Sequence, residues 1–155
     1  MASDYTVRPA KLEDAFLVGG AMRNADVQEL RASHGMKPVE ALARAIKTSH
    51  RSRTVLTEKG PALAFGVYKL TAIGDHGSIW MLGTNQIEQN SFRFLRDGGK
   101  NLLSICEGYS IISNHCDARN KIALRWLEWL GFTIGEAEPY GIFKMPFHPF
   151  HMELG

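Results

Sequence analysis

The sequence predicts an α/β chain built on a mixed sheet with helices on its faces. Three observations carry that prediction. Apolar residues change from helical spacing to strand-like runs and back, in the order strand, helices, three strands, helix, strand, helix, strands. The run Ser78-Ile-Trp-Met-Leu82 is apolar almost throughout, as a central strand buried on both faces would be. Asp117–Leu130 reads as a capped helix followed by Gly131, a residue suited to the left-handed stop.

Taken in order, Tyr5–Val7 reads as a short strand stopped by Pro9, which has no N–H for a ladder. A helix follows from Leu12. Gly19-Gly20 lies inside it, so either the backbone packs closely there or the helix bends. Ala25–Ser33 reads as a second helix closed by His34-Gly35. Pro38 suits the first turn of a third, where Val39, Leu42, Ala43 and Ile46 share a face. Thr54–Thr57, a turn at Lys59-Gly60 and Ala62–Leu70 read as a hairpin, with Gly66 marking a bulge or a close backbone approach. After the central strand, Ile87–Tyr109 is helical in pattern but split by Gly98-Gly99. Ile111–Cys116 is a strand, and Asp117 is the expected N-cap of the next helix. There Ala123, Trp126, Leu127 and Leu130 form the apolar stripe. Phe132–Ile134 begins a strand, with Tyr140–Phe147 its expected antiparallel partner.

With 155 residues, 45% of them hydrophobic, the chain can bury a core, and a single domain over 1–155 is expected. Cys106 and Cys116 form no disulfide framework or zinc cluster and are expected reduced and buried, which suits synthesis in a cytoplasm. No apolar run approaches membrane-spanning length, and the N-terminal residues lack signal-peptide character. A net charge of +2 gives no argument for nucleic acid. Arg44, Lys47, His50, Arg51 and Arg53 form one basic group, read as a solvated face or a contact for an acidic partner. No aromatics interleave with it for base stacking. His148 and His151 lack further ligands, so no metal site is expected. His115 and Cys116 are strand neighbours facing opposite ways, a poor arrangement for a nucleophile and its base.

The strand–Asn–helix–Gly-Phe arrangement ending at Phe132, with Tyr5-Thr-Val-Arg-Pro-Ala and Glu13-Asp14-Ala15 at the other end, resembles the GNAT N-acetyltransferase fold. The resemblance implies a central, mostly antiparallel mixed sheet flanked by helices. A closer likeness is to the phage internal virion protein A family, also found in prophages. It rests on Phe65-Gly66-Val67, Trp80–Thr84, Phe94-Leu95-Arg96, Asp117–Asn120, Arg125–Phe132, Tyr140-Gly141 and Phe147-His148.

Two requirements of GNAT enzymes test the first resemblance. They follow the fourth strand with Gln/Arg-x-x-Gly-x-Gly/Ala, whose glycines let the backbone approach the cofactor's phosphates. Here Thr84 is followed by Asn85-Gln-Ile-Glu88-Gln, with no glycine and an opposing carboxylate. The nearest partial match, Arg96–Asn101, lies further along and includes Asp97; its glycines read as a helix break. Many of these enzymes also place a tyrosine seven residues past the helix-start asparagine, and that position is Leu127. A glutamate base is the usual alternative to an ordered water, yet Glu29, Glu40 and Glu58 all read as solvated.

The expected function is therefore a phage or prophage virion-associated accessory protein. It would act by protein contacts in particle assembly or genome delivery, without catalysis or a cofactor. It would be made in the cytoplasm of a host bacterium and carried in the virion. The alternative is an acetyl-CoA-dependent N-acetyltransferase with an altered phosphate loop. In that reading Leu82, Gly83 and Thr84 line the cofactor cleft through their backbone. Arg96, Gly98, Gly99 and Lys100 are the candidates for its phosphates, and Asn120 for its amide arm. A third reading is a protein that binds a host factor through the basic face.

Overall fold

The computed structural model describes residues 5–89 and 91–155, and the side chains of those outside 89–96. The elements are β1 (Thr6–Pro9), α1 (Asp14–Gly19), α2 (Asn24–His34), α3 (Pro38–Thr48), β2 (Arg51–Thr57), β3 (Gly60–Lys69) and β4 (His76–Gly83). There follow α4 (Gln86–Gln89), α5 (Ser91–Ile105), β5 (Ile111–Asp117), α6 (Lys121–Leu130), β6 (Thr133–Ile134), β7 (Glu138–Tyr140) and β8 (Met145–Glu153).

The strands form one mixed sheet in the order β1-β2-β3-β4-β5-β8-β6, with β7 also paired to β8. Every pairing is antiparallel except β4 with β5. A parallel pair needs a crossover, and α5 lies in the one between β4 and β5. Two cores result. One joins Val55, Phe65, Ile79, Ile105, Ile112 and Phe150 beneath α5 and α6. The smaller, on the other face, joins Ala15, Val18, Leu42, Ala64 and Leu82 beneath α1 and α3. Alternation along β4 therefore turns Ile79 and Met81 toward α5 and α6, and Trp80 and Leu82 toward α1 and α3.

Local chemistry explains most boundaries. Gly35 and Gly131 take left-handed φ of 69° and 103° and end α2 and α6. Pro38 opens α3 as expected. Gly19 ends α1 where the backbone of Val39 passes; an added Cβ would lie 2.8 Å from Val39 Cα, so close packing is the reason for that glycine. Gly66 lies under the Trp80 ring, and the hairpin's register irregularity falls at Val55/Leu56 instead. Asp14, buried at the start of α1, accepts two hydrogen bonds from Arg8, one from Lys11 N–H and one from the Thr54 hydroxyl.

Four expectations are corrected. Helix α5 runs unbroken through Gly98 and Gly99. Gly98 is small because α6 is close: a Cβ there would lie 2.7 Å from Trp126 Cζ2. The N-cap of α6 is Asn120, whose side chain accepts from Ala123 N–H, while Asp117 ends β5 and pairs with Arg119. Tyr140–Phe147 is not one strand; β7 and β8 split it, and β8 lies inside the sheet between β5 and β6. The basic group also divides: Arg44 and Lys47 stay on α3, while Arg51 donates to the carbonyls of Ile105, the last residue of α5, and of Glu107 just past it.

Candidate active site

Strands β4 and β5 are paired only at His76–Ile111, Gly77–Ile112 and Ser78–Ser113. Beyond Ser78 they part. Asn114 stands at the fork. Its Nδ2 donates to the Ile79 carbonyl at 2.6 Å and its Oδ1 accepts from His115 N–H at 2.7 Å, so a side chain substitutes for the next ladder bond. The gap opens into a cavity of about 500 Å³ that reaches both faces of the sheet. Gly98, Asn101, Ala123 and Trp126 line it on the α5–α6 side. Glu29, Leu30, Met36 and Arg44 line it on the α2–α3 side.

The antiparallel ladder fixes which main-chain groups meet this gap. Thr84 N–H donates to Ala62 O and Leu70 N–H to His76 O, so alternate residues of β4 between them face β3. Ile79, Met81 and Gly83 therefore face the β5 side. Asn114 uses the Ile79 carbonyl. Asp26 accepts from Gly83 N–H, and Arg23 N–H donates to Gly83 O. Met81 directs its N–H and C=O into the opening.

A polar cluster closes the gap on the side of α2. Arg23 and Asp26, both buried, form an ion pair at 2.9 Å, and Arg23 also meets Glu88 at 3.2 Å. Asn120 Nδ2 approaches Asp26 Oδ1 at 3.4 Å. Glu29 lies one turn further along α2 and accepts from Asp117 N–H at 2.8 Å. Burial pushes the Glu29 carboxyl up to about 7, against the pull of that N–H, and the nearby charges of Asp26 and Asp117 add to the rise. Burial likewise raises Asp26 against the attraction of Arg23. The Cys116 thiol is driven far above its ordinary range, first by burial and then by the Glu29 charge, so it is no nucleophile. His115 stacks on Tyr140 with centroids 4.0 Å apart. Burial raises the Tyr140 phenol. Tyr140, His115 and Cys116 all line the cavity.

The structure brings some sequence candidates together and separates others. Leu82 and Asn120 line the cavity; Gly83 ends β4 beside it and Thr84 follows. The amides of Gly83 and Thr84 are already bonded to Asp26 and Ala62, so they shape the wall without offering donors. Asn120 lines the same wall with both ends of its amide engaged, on Asp26 and on Ala123 N–H. Gly98, Gly99 and Lys100 lie in the middle of α5, where their amides serve the helix, so this run forms no phosphate nest. The side chain of Arg96 lies outside the described residues. After Thr84 the amides of Gln86, Ile87 and Glu88 fold back onto Thr84 and Asn85. Leu127 is buried in the cavity wall, as its place on the apolar stripe required. His148 Nδ1 donates to the Gly135 carbonyl. Among the described residues no group of three or more His, Cys, Asp or Glu is arranged to hold a metal.

Sequence reasoning missed Glu29, Met81 and Asn114. Asp26 and Glu29 sit at i and i+3 of α2, next to Leu30. Two carboxylates on the side of a helix that also carries a core leucine are the signal that could have marked this one among the glutamates.

No family model matches the sequence, and no curated protein does. Solved structures do match. A GCN5-related N-acetyltransferase from Kribbella flavida superposes with a TM-score of 0.69 at 16% identity, over 97% of this chain and 98% of that one. A ribosomal-protein-S5-alanine acetyltransferase from Vibrio fischeri gives 0.67 at 16%, over 96% and 92%. A spermidine N-acetyltransferase from Vibrio cholerae, in complex with CoA and spermine, gives 0.65 at 13%, over 96% and 95%. The chain has the GNAT N-acetyltransferase fold. These neighbours overturn the expectation of a non-catalytic virion-associated protein, because they favour the acetyltransferase alternative. The likeness to the phage internal virion protein A family finds no support among them. No helix among the described residues is long and apolar enough to cross a membrane.

Proposed function

We propose that the chain is an acetyl-CoA-dependent N-acetyltransferase. The observation that carries this reading is the gap between β4 and β5, with main-chain groups of Met81 turned into it and the Glu29 carboxyl at its α2 side. A gap of this kind suits a thin, amide-bearing arm. Met81 N–H and C=O would hold such an arm as a neighbouring strand would, and the apolar walls from Leu82, Leu127 and Trp126 would exclude water around it. The phosphates fit less well. The run Gly98–Lys100 is helical, and Glu88, which the sequence set against an anion, is drawn to Arg23.

Bound in the gap, acetyl-CoA supplies an activated acetyl thioester. The protein supplies a place for an amine to meet it. Glu29 is suited to take the amine's proton, since a carboxyl held near 7 is both available and basic enough at neutral pH. Asp117 N–H keeps that carboxylate oriented. Tyr68 and Tyr140 line the same cavity, and a hydroxyl of one of them would protonate the departing thiolate in the place of Leu127.

Titration of the purified chain with acetyl-CoA in a calorimeter tests the reading directly. Saturable one-to-one binding, lost when Met81 is replaced by proline, is expected, because proline removes the N–H that faces the gap. A flat titration at millimolar acetyl-CoA would refute it.

A further inference from the structure

We infer that the acceptor is a small primary amine that also carries an anionic group, which Arg44 holds at the cavity mouth while the amine faces Glu29. This rests on the acetyltransferase reading and adds the substrate class to it.

The argument is one of charge on the α2–α3 side. Arg44 and His34 are exposed and line that mouth. An adjoining groove shares Thr48 and Tyr68 with the cavity and adds Lys69 and His50. Among the described residues no ion pair engages Arg44. The acidic side chains lining the cavity are Asp26 and Glu29. Asp26 is committed to Arg23, Gly83 N–H and Asn120. One carboxyl is thus left to meet an amine, behind a cationic entrance. A polyamine would carry several positive charges past Arg44 and Lys69, at a like-charge cost. An amine with a carboxylate or phosphonate would place opposite charges against both ends of the site, and a guanidinium suits such a planar or tetrahedral anion. Leu30, Met36, Trp80 and Tyr68 give the walls an apolar character, which favours an apolar body between the two charges.

The transfer balances without a further reactant. The neutral amine's nitrogen forms a bond to the acetyl carbon, the carbon–sulfur bond breaks, and Glu29 takes the proton that the nitrogen releases. The departing thiolate takes one proton from a tyrosine hydroxyl of the wall, which regains it from Glu29 through solvent, so the products are the amide and the free thiol.

The full-length chain and acetyl-CoA should be assayed by thiol release with methionine, its phosphonate analogue, methioninamide and spermidine. An anionic acceptor should exceed methioninamide at least tenfold in kcat/KM, and the better of the two anions identifies the source of the charge. Arg44→Gln should raise KM for that acceptor about tenfold with less change in kcat, and erase its advantage over the amide. Arg44→Lys should restore part of it. Calorimetry with N-acetylmethionine alone gives a readout without turnover: it should bind the wild type and bind Arg44→Gln at least fivefold more weakly. Equal or better turnover of methioninamide or spermidine overturns the inference. So does acetyl-CoA binding with no turnover of either anion and no binding of N-acetylmethionine. Failure of acetyl-CoA itself to bind removes the transferase reading beneath it, a separate outcome.

Discussion

Glu29 shows how much one hydrogen bond can decide. Its N–H partner is on Asp117, 88 residues away, so only the folded chain separates it from Glu40 and Glu58. Two measurable consequences follow from its position. If it accepts the proton, kcat/KM should rise with pH through about 7 and level above it, and Glu29→Gln should remove that limb and lower kcat about a hundredfold or more. Stability should run the other way. A carboxyl raised from an ordinary 4.5 to about 7 binds its proton more tightly folded than unfolded. Its contribution is fully present below about pH 4.5 and is lost as pH rises to about 7, on the order of 3 kcal/mol for that shift. Denaturant titrations at pH 5 and pH 8 should show that fall in the wild type and a smaller one in Glu29→Gln. Asp14 has the opposite sign. Its carboxyl is buried, but the Arg8 guanidinium, Lys11 N–H and the Thr54 hydroxyl hold it down to about 2. That stabilisation is present above its ordinary 3.8 and is lost as pH falls toward 2. Replacing Asp14 with alanine strands Thr54 and removes the partner of Arg8; a loss of about 3 kcal/mol is expected by urea unfolding at pH 7.

Among the elements, the pair α5 and α6 gives the clearest division between what local sequence conveys and what it does not. The sequence marked the body and end of α6 well because an apolar stripe and a glycine stop are local signals, although it set the cap three residues early, on Asp117 instead of Asn120. It marked the glycines of α5 as a break because glycine is a poor helix former on its own terms. The reason for Gly98 lies on the other helix, in the ring of Trp126. Gly98→Ala should therefore destabilise the protein by about 1–3 kcal/mol, although alanine favours an isolated helix by about 1 kcal/mol. A lower melting temperature with unchanged helical circular dichroism at 20 °C would meet that expectation; a higher one would show that Trp126 moves aside. Strand β8 was obscured for a similar reason. Pro146 and Pro149 argue locally against an interior strand, yet Pro149 lies opposite His115 and its carbonyl accepts from Gly135 N–H.

At the level of the whole molecule, alternating periodicity made the mixed sheet legible, and the fork between β4 and β5 was not. Strand β4 is apolar from Ile79 to Leu82 while β5 turns polar from Ser113, but neither composition says where pairing ends; only the register reveals that it stops after Ser78 and Ser113. The expectation of an inert scaffold came from weighing a missing glycine loop against the cofactor's phosphates. Under the proposed function the opening would take the arm of that cofactor, at a place that no local motif announces. Ligand binding there should act on the entire fold. Acetyl-CoA at a hundredfold excess over its Kd would stabilise the native chain by about 2.7 kcal/mol, and a rise of several degrees in melting temperature is the expected reading.

The interior position of β8 also bears on how the sheet is assembled. Its register matches Ile111 with Glu153 and Asp117 with Phe147, so one flank of β5 stays bare until residues from 145 onward arrive. Pulse-labelled exchange during refolding should find the amides shared by β5 and β8 protected together and later than those of the β2–β3 hairpin, whose partners lie close along the chain. In the interval the exposed flank of β5 is a template for a stranger's backbone, and aggregation during slow refolding should begin at that seam.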